Sequence, residues 1–231
     1  MPKVHQIRPG DGISSVAEKF GFFEATIWDD PANAELRERR HDMNILQIGD
    51  LVTVPDLRTK TVSVGTDQRH RFRRKGVPAL FRMQLFHLGQ PRANEPYVMD
   101  IAGGHREGAT DDDGVLEESV PPSARKARIT IGTDGDEEVL EIHFGGLDPI
   151  DSGTGQRQRL TNLGVYDGPL EPPGVGPHGQ PIDDPGFTEA VRRFQISRGL
   201  EPSATLDEET LETLCAAHDQ HGGPVAEESG Q

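Results

Sequence analysis

Cys215, His218 and His221 bring a thiol and two imidazoles close together near the end of the chain. They are the residue types a transition metal prefers. His218 and His221 fall where a helical pattern gives way to a tail, however, and a metal needs a preorganised site, so no metal is expected there. Asp111 to Asp113 and Asp134 to Asp136 read as turn acids rather than calcium ligands, because no full EF-hand-type ligand loop follows either run. Hydrolytic chemistry would need paired carboxylates, a zinc motif or an activated nucleophile at recognisable spacing. The sequence has no His-Glu-x-x-His, no Gly-x-Ser-x-Gly and no well-spaced carboxylate pair. Cys215 sits within the apolar pattern of the last helix, where a cysteine acts as a small hydrophobe. The residues therefore predict a non-enzymatic protein without metal or cofactor.

The elements that must position any site come from a lean composition. Of 231 residues only 33% are hydrophobic and 5% aromatic, and Gly (27) and Pro (18) make almost a fifth of the chain. That predicts small modules joined by irregular segments rather than one dense core. Asp and Glu number 39 against 24 Lys and Arg, for a formal charge of -15, which argues against nucleic-acid binding. The exception is the basic run from Arg69 to Lys75. It reads first as a solubilising edge or linker and second as a docking site for an acidic partner, carried by Arg71, Arg73 and Arg74. A single cysteine allows no intramolecular disulfide. The first ten residues lack the apolar stretch of a signal peptide, and no run is long enough to span a membrane, so synthesis in the cytoplasm without conventional export is expected.

Residues 1–57 read as strand, two helices, strand. Val4 to Arg8 alternates and ends at Pro9-Gly10-Asp11-Gly12; Ser14 or Ser15 is placed to cap a helix holding Val16, Ala17 and Phe20, which Gly21 stops. A second helix is expected around Ala25 to Asp30. Leu51 to Pro55 is a β-branched strand entered through Gly49-Asp50. His5 to Ala17 and Ile45 to Pro55 together resemble a LysM domain, the βααβ module that binds N-acetylglucosamine polymers such as peptidoglycan or chitin. The sequence departs from that pattern at Gly12, where Thr or Ser is usual, and at Met43 and Ile48, where prolines are common. The resemblance implies glycan contact at Gly10, Asp11, Gly12, Ile13 and Ser14, and at Asn44, Ile45, Leu46 and Ile48. An equal reading makes Gly10 to Gly12 merely a tight turn.

Residues 58–150 change to short alternating runs at Val62 to Val64, Leu80 to Leu88, Tyr97 to Ile101, Ala127 to Ile131 and Val139 to Phe144. These predict a small β-sandwich, with a hairpin turn at Asp134-Gly135-Asp136. Gly108 to Glu117 resembles the Gly-x-Thr-Asp-x-x-Gly signature of transthyretin-like or immunoglobulin-like modules, which implies interaction or spacing. Residues 151–219 return to helical periodicity, with Leu160 and Leu163, then Ala190, Val191 and Phe194, then Leu200, Leu206, Leu211 and Leu214; Asp207 is placed to cap the last helix. Leu160 to Pro169, Phe187 to Gln195, Gly199-Leu200 and Leu206 to Leu211 follow in order the pattern of the helical peptidoglycan-binding domain of cell-wall hydrolases. The stretch from Pro172 to Pro185 is longer than that family's usual connection. The likeness implies that Tyr166 and Asp167 border a groove, while Leu163, Phe194 and Leu211 read as core. Residues 220–231 form an acidic tail expected to be disordered.

The expected class is a multidomain α+β protein: a LysM-like module, a β-sandwich and a three-helix peptidoglycan-binding-like module. The combination resembles accessory proteins of type VI secretion spikes and related contractile injection systems. It implies a wall-binding accessory that meets peptidoglycan only when a secretion machine or lysis carries it there. Two other classes stay open: a structural adaptor whose LysM-like module grips a spike or baseplate protein, and a cell-wall hydrolase with an unrecognised active site.

Overall fold

The first strand, β1 (Lys3–Gln6), is followed by a turn in which Pro9 and Gly10 occupy the two central positions, closed by Asp11 N–H donating to the Arg8 carbonyl at 2.9 Å. Gly10 has φ +82°, the left-handed value that the third position of such a turn demands. The computed structural model describes residues 2–57, 63, 65–69, 79–87, 90–132, 135, 137–175 and 182–219. They mix helices with antiparallel sheets. The chain separates into two compact units, Met1–Gly146 and Leu147–Gln231.

Helix α1 (Ile13–Phe20) starts at Gly12, not at Ser14 or Ser15. Gly12 can offer no capping side chain, so Ser15 caps from inside: its Oγ accepts from Gly12 N–H at 3.1 Å and donates to the Gly12 carbonyl at 3.0 Å. Gly21, at φ +78°, ends the helix as expected. Helix α2 (Glu24–Trp28) starts one residue before and ends two residues short of the expected span from Ala25 to Asp30. A 3-10 turn at Pro31–Asn33 then leads into α3 (Ala34–Arg39), a helix that the charged sequence conceals. Strand β2 (Leu51–Val54) pairs antiparallel with β1. Ile7, Ile13, Val16, Ile27, Leu36, Leu46, Val52 and Val54 fill the core between this ribbon and the helices.

Within the same unit, β6 (Pro96–Ile101), β7 (Gly104–Ala109), β9 (Lys126–Ile131) and β10 (Glu138–His143) form one sheet in the order β10-β9-β6-β7. Strand β3 (Ala79–Gln84) pairs with β8 (Val115–Val120), and β4 (Phe86–His87) with β5 (Gln90–Pro91). Alternate residues of β6, β8 and β9 point into one shared core that includes Tyr97, Met99, Ile101, Leu116, Ile129 and Ile131. The run expected from Leu80 to Leu88 is interrupted at Leu85, and β7 and β8 are strands that were not expected. Val62, Val64, Asp134 and Asp136 lie outside the described residues; Gly135 has φ +93°, as a tight turn requires.

The Gly-x-Thr-Asp-x-x-Gly segment is structural at each fixed position. A side chain at Gly108 would meet the Tyr97 phenol. Thr110 Oγ1 accepts from Glu95 N–H at 2.9 Å and donates to the Arg92 carbonyl. Asp111 Oδ1 accepts from the N–H groups of Asp113 and Val115 at 3.0 and 2.8 Å. Gly114, at φ +75°, lies against the Leu85 carbonyl and the Arg92 amide.

The second unit contains α4 (Gly153–Asn162), α5 (Pro185–Ser197) and α6 (Glu208–His218), capped by the side chains of Ser152, Asp184 and Asp207. The Asp207 cap falls where its position before Glu208 and Glu209 predicts. Leu160, Tyr166, Ala190, Val191, Phe194 and Leu214 form the core, with Leu163 and Leu206 packed partly buried against it. Leu211 is only half-buried and stands outside that cluster.

Candidate functional site

The two segments that the LysM resemblance assigns to glycan contact converge. Ser14 N–H donates to Asn44 Oδ1 at 3.1 Å and Ile13 N–H to the Met43 carbonyl at 2.9 Å, although 30 residues separate Ser14 from Asn44. Gly12 explains itself here. A Cβ on it would come within 2.7 Å of Asn44 Oδ1 and 3.0 Å of Asn44 Cα, so the usual Thr or Ser would push the loops apart.

Asp11 organises the first loop. Its Oδ2 accepts from Arg8 N–H at 3.2 Å and lies 3.0 Å from His5 Nε2, while Oδ1 takes Arg125 Nη2 at 3.1 Å. The second loop is held by a buried ion pair: Arg40 Nε donates to Asp50 Oδ2 at 2.8 Å, and the two side chains are 6% and 7% exposed. Arg40 Nη2 also donates to Gln47 Oε1 at 2.6 Å, and Gln47 N–H to Asp50 Oδ2 at 3.0 Å. Polar groups inside the segment thus fix backbone at its surface.

The proposed contact residues are not equally accessible. Ile48 is 61% exposed and Asn44 is exposed, Gly10, Asp11 and Ile45 are half-buried, and Gly12, Ile13, Ser14 and Leu46 are buried. Ile13 and Leu46 are core residues. Any contact made by Gly12 or Ser14 must therefore use backbone atoms or the edge of a cleft.

Such a cleft is present, of about 170 Å³. One wall comprises Gly10, Gly12, Ser14, Ser15 and Asn44. The other is the end of the β-rich segment, with Ala79, Leu80 and Phe81 from β3, Val120 at the end of β8 with Pro121 and Pro122 after it, Arg125 just before β9, and Phe144 and Gly145 after β10. Phe144 N–H donates to the Arg125 carbonyl at 2.9 Å, continuing the β9–β10 ladder, and its ring meets Phe81 edge to face with centroids 5.1 Å apart. Arg125 and Gly145 close one end of the cleft. A Cβ on Gly10 would meet Arg125 Nε at 2.7 Å, and one on Gly145 would meet the Gly10 carbonyl oxygen at 2.5 Å.

In the second unit, Tyr166 is not placed as a surface contact. It is 4% exposed, its ring meets Phe187 edge to face, and its hydroxyl donates to the Pro169 carbonyl at 3.0 Å. Asp167 is exposed. Buried polar residues stitch this unit together. Arg159, 1% exposed, pairs with Asp219 at 2.9 Å and donates to the carbonyls of Asp148 and Gly155. Arg157 pairs with Asp184 at 2.9 Å and lies over the Phe187 ring. Gln195 donates to Ser203, Thr205 and Thr210 and accepts from Ala204 N–H.

These contacts set the titration of the unit. The Phe187 amide and the Arg157 guanidinium hold the Asp184 carboxyl below its ordinary value. Burial pushes the Asp219 carboxyl up, but the bonds from His218 and Arg159 outweigh it, and the net shift is downward. Burial and the nearby Asp219 raise the Cys215 thiol, the opposite of what an activated nucleophile requires. His218 is occupied, 2.6 Å from Asp219 and 2.9 Å from Asn162. Among the described residues no group of three or more His, Cys, Asp or Glu side chains could hold a metal, and no helix is long and apolar enough to cross a membrane. His221, Arg71, Arg73 and Arg74 lie outside the described residues.

No protein family, curated protein or solved structure matches the chain. Sequence reasoning missed Arg125 as a neighbour of the Gly10 loop, because 114 residues separate Arg125 from Asp11. It also missed the Arg40–Asp50 pair. Only an acidic residue closing the Gly49-Asp50 turn and a basic cluster before it hinted at that pairing.

Proposed function

We propose that the protein is a non-catalytic, peptidoglycan-binding accessory of a contractile-injection-type spike, with its glycan surface in a LysM-like N-terminal module. The observation that carries this reading is the convergence of residues 10–14 with residues 43–48 through the Ser14–Asn44 and Ile13–Met43 hydrogen bonds. Two distant loops form one surface that carries the polar, exposed Asn44 and the apolar, exposed Ile48, a mixture on which a sugar ring can lie. On this reading the β-rich segment, three antiparallel sheets of four, two and two strands, is an immunoglobulin-like or transthyretin-like spacer. The helical unit is a peptidoglycan-binding-like module in which Asp167, rather than buried Tyr166, would face the wall. Peptidoglycan is reached by delivery through the secretion machine.

The test is sedimentation of the full chain with purified sacculi, together with an assay for released muropeptides. Retention without release is expected. Absence of retention removes the glycan reading, and release of soluble muropeptides establishes a hydrolase instead.

A second reading is favoured by the closed end of the cleft. Gly10 and Asp11 already hold protein partners, Gly145 and Arg125. A LysM-like fold that uses this loop for protein contact is a structural adaptor of the spike or baseplate. It predicts co-purification with a spike protein and no retention on sacculi.

A further inference from the structure

We propose that Arg125 and Gly145 form a latch by which the β-rich segment closes the Gly10–Ser14 loop, so that the N-terminal segment alternates between a closed form and a form that binds glycan. The second half of this inference rests on the glycan reading above; the latch itself does not.

Three observations carry it. The loop residue with the strongest conformational demand, Gly10 at φ +82°, is also packed against the other segment: a Cβ on it would meet the Arg125 side chain, and one on Gly145 would meet the Gly10 backbone. Asp11 uses its two oxygens differently. Oδ2 is engaged within its own segment, by Arg8 N–H and His5, and only Oδ1 reaches across to Arg125. Breaking the latch therefore leaves the loop's internal bonds intact. The cleft that remains, about 170 Å³, is below the roughly 300 to 1,000 Å³ of ordinary small-molecule sites. It is too small for more than part of an amino-sugar unit while the latch is closed.

The contact is also built to open. The apolar cores on its two sides share no residue, one being formed by residues 7–54 and the other by residues 85–131. Among the described residues the one ion pair found across it uses an arginine side chain 43% exposed, and such pairs contribute little in water. A partner protein or a dense glycan needs to supply only a small differential affinity to shift the balance. If the open form is a tenth or less of the population, apparent affinity is reduced by that fraction, about tenfold or more.

The experiment compares the full chain with Arg125→Glu, which places a carboxylate against Asp11, and with Arg125→Lys, which keeps the charge. Hydrogen exchange reads the latch, and sacculus sedimentation reads the ligand. Arg125→Glu is expected to speed exchange several-fold at the amides of residues 10–15, to leave β9 and β10 protected, and to raise sacculus affinity about tenfold; Arg125→Lys stays near the parent. Unchanged exchange at residues 10–15 overturns the latch. Faster exchange with unchanged retention overturns its control of binding. If no variant is retained although exchange shows the loop released, the latch stands and the glycan reading fails.

Discussion

In residues 2–57 and in residues 147–219, buried charges serve opposite ends. Arg40 and Asp50 lie under the second loop and hold it through Gln47, which itself stays exposed. Arg157, Arg159 and Gln195 instead close helices and connections upon one another, and Tyr166, the aromatic candidate of that unit, is drawn into the core with them. Where a polar network braces a loop from below, the loop's surface stays free to meet a ligand. Where the network replaces apolar area inside a small unit, it consumes the groups that a ligand would otherwise meet. The same residue types carry different functional information in the two regions, and burial of their neighbours decides which.

The contrast is broken or sharpened by four measurements. The largest effect is expected from Arg40→Met, which leaves the almost fully buried Asp50 carboxylate without its principal cation; loss of such a partner costs about 3 to 5 kcal/mol. Urea unfolding followed by a probe in residues 2–57 should show it. A cost near zero, with Arg39 at 3.7 Å from Asp50 taking over, would mean that the second loop is not braced from below.

Arg159→Met should cost less, about 2 to 3 kcal/mol, because the Asp219 side chain is 18% exposed and regains water. The loss should appear as reduced exchange protection in α6. Equal or greater damage than in the Arg40 variant reverses the ranking of the two networks.

Tyr166→Phe removes the bond to the Pro169 carbonyl and is expected to cost about 1 kcal/mol with retention on sacculi unchanged. A fall in retention at unchanged stability would return Tyr166 to the contact surface.

Acidification should produce the smallest effect. Asp184 and Asp219 are held below their ordinary value of 3.8 in the folded chain. The unfolded chain therefore binds more protons, and the stabilisation is complete above that value and lost as pH falls through the folded ones. Protection in α5 and α6 should decline only below about pH 4. Protection that stays unchanged well below about pH 3 would mean that neither carboxylate braces these helices.

Much of the secondary structure was legible because it depends on neighbours in sequence. Gly21 ends α1, Asp207 caps α6, and alternation marks β6, β9 and β10. Strand β7 was hidden because Gly104, Gly108 and its charged residues lack β-branched side chains, and α3 because Glu35 to Arg40 reads as solvated charge. The candidate site was half legible. The two loops can be placed from their motifs, but their mutual fit depends on the absence of a side chain at Gly12, and their closure on Arg125. Asn33, Arg40, Arg157, Arg159 and Gln195 are polar residues whose burial is set by partners that no local pattern specifies.

Asn33 has a consequence for how the chain behaves in company. Its side-chain amide donates to the Thr53 carbonyl and accepts from Thr53 N–H, both at 2.8 Å, on the side of β2 away from β1. One carboxamide thus performs the exchange that a neighbouring strand would perform. An open strand edge is a template on which identical chains can stack. By occupying the middle of that edge, Asn33 denies it to other copies, a safeguard against aggregation that matters most for a protein crowded at high local concentration. Asn33→Leu would uncover the edge and also leave the Ile27 carbonyl without the Asn33 amide that holds it at 2.8 Å; the signature of the open edge would be turbidity that grows with protein concentration.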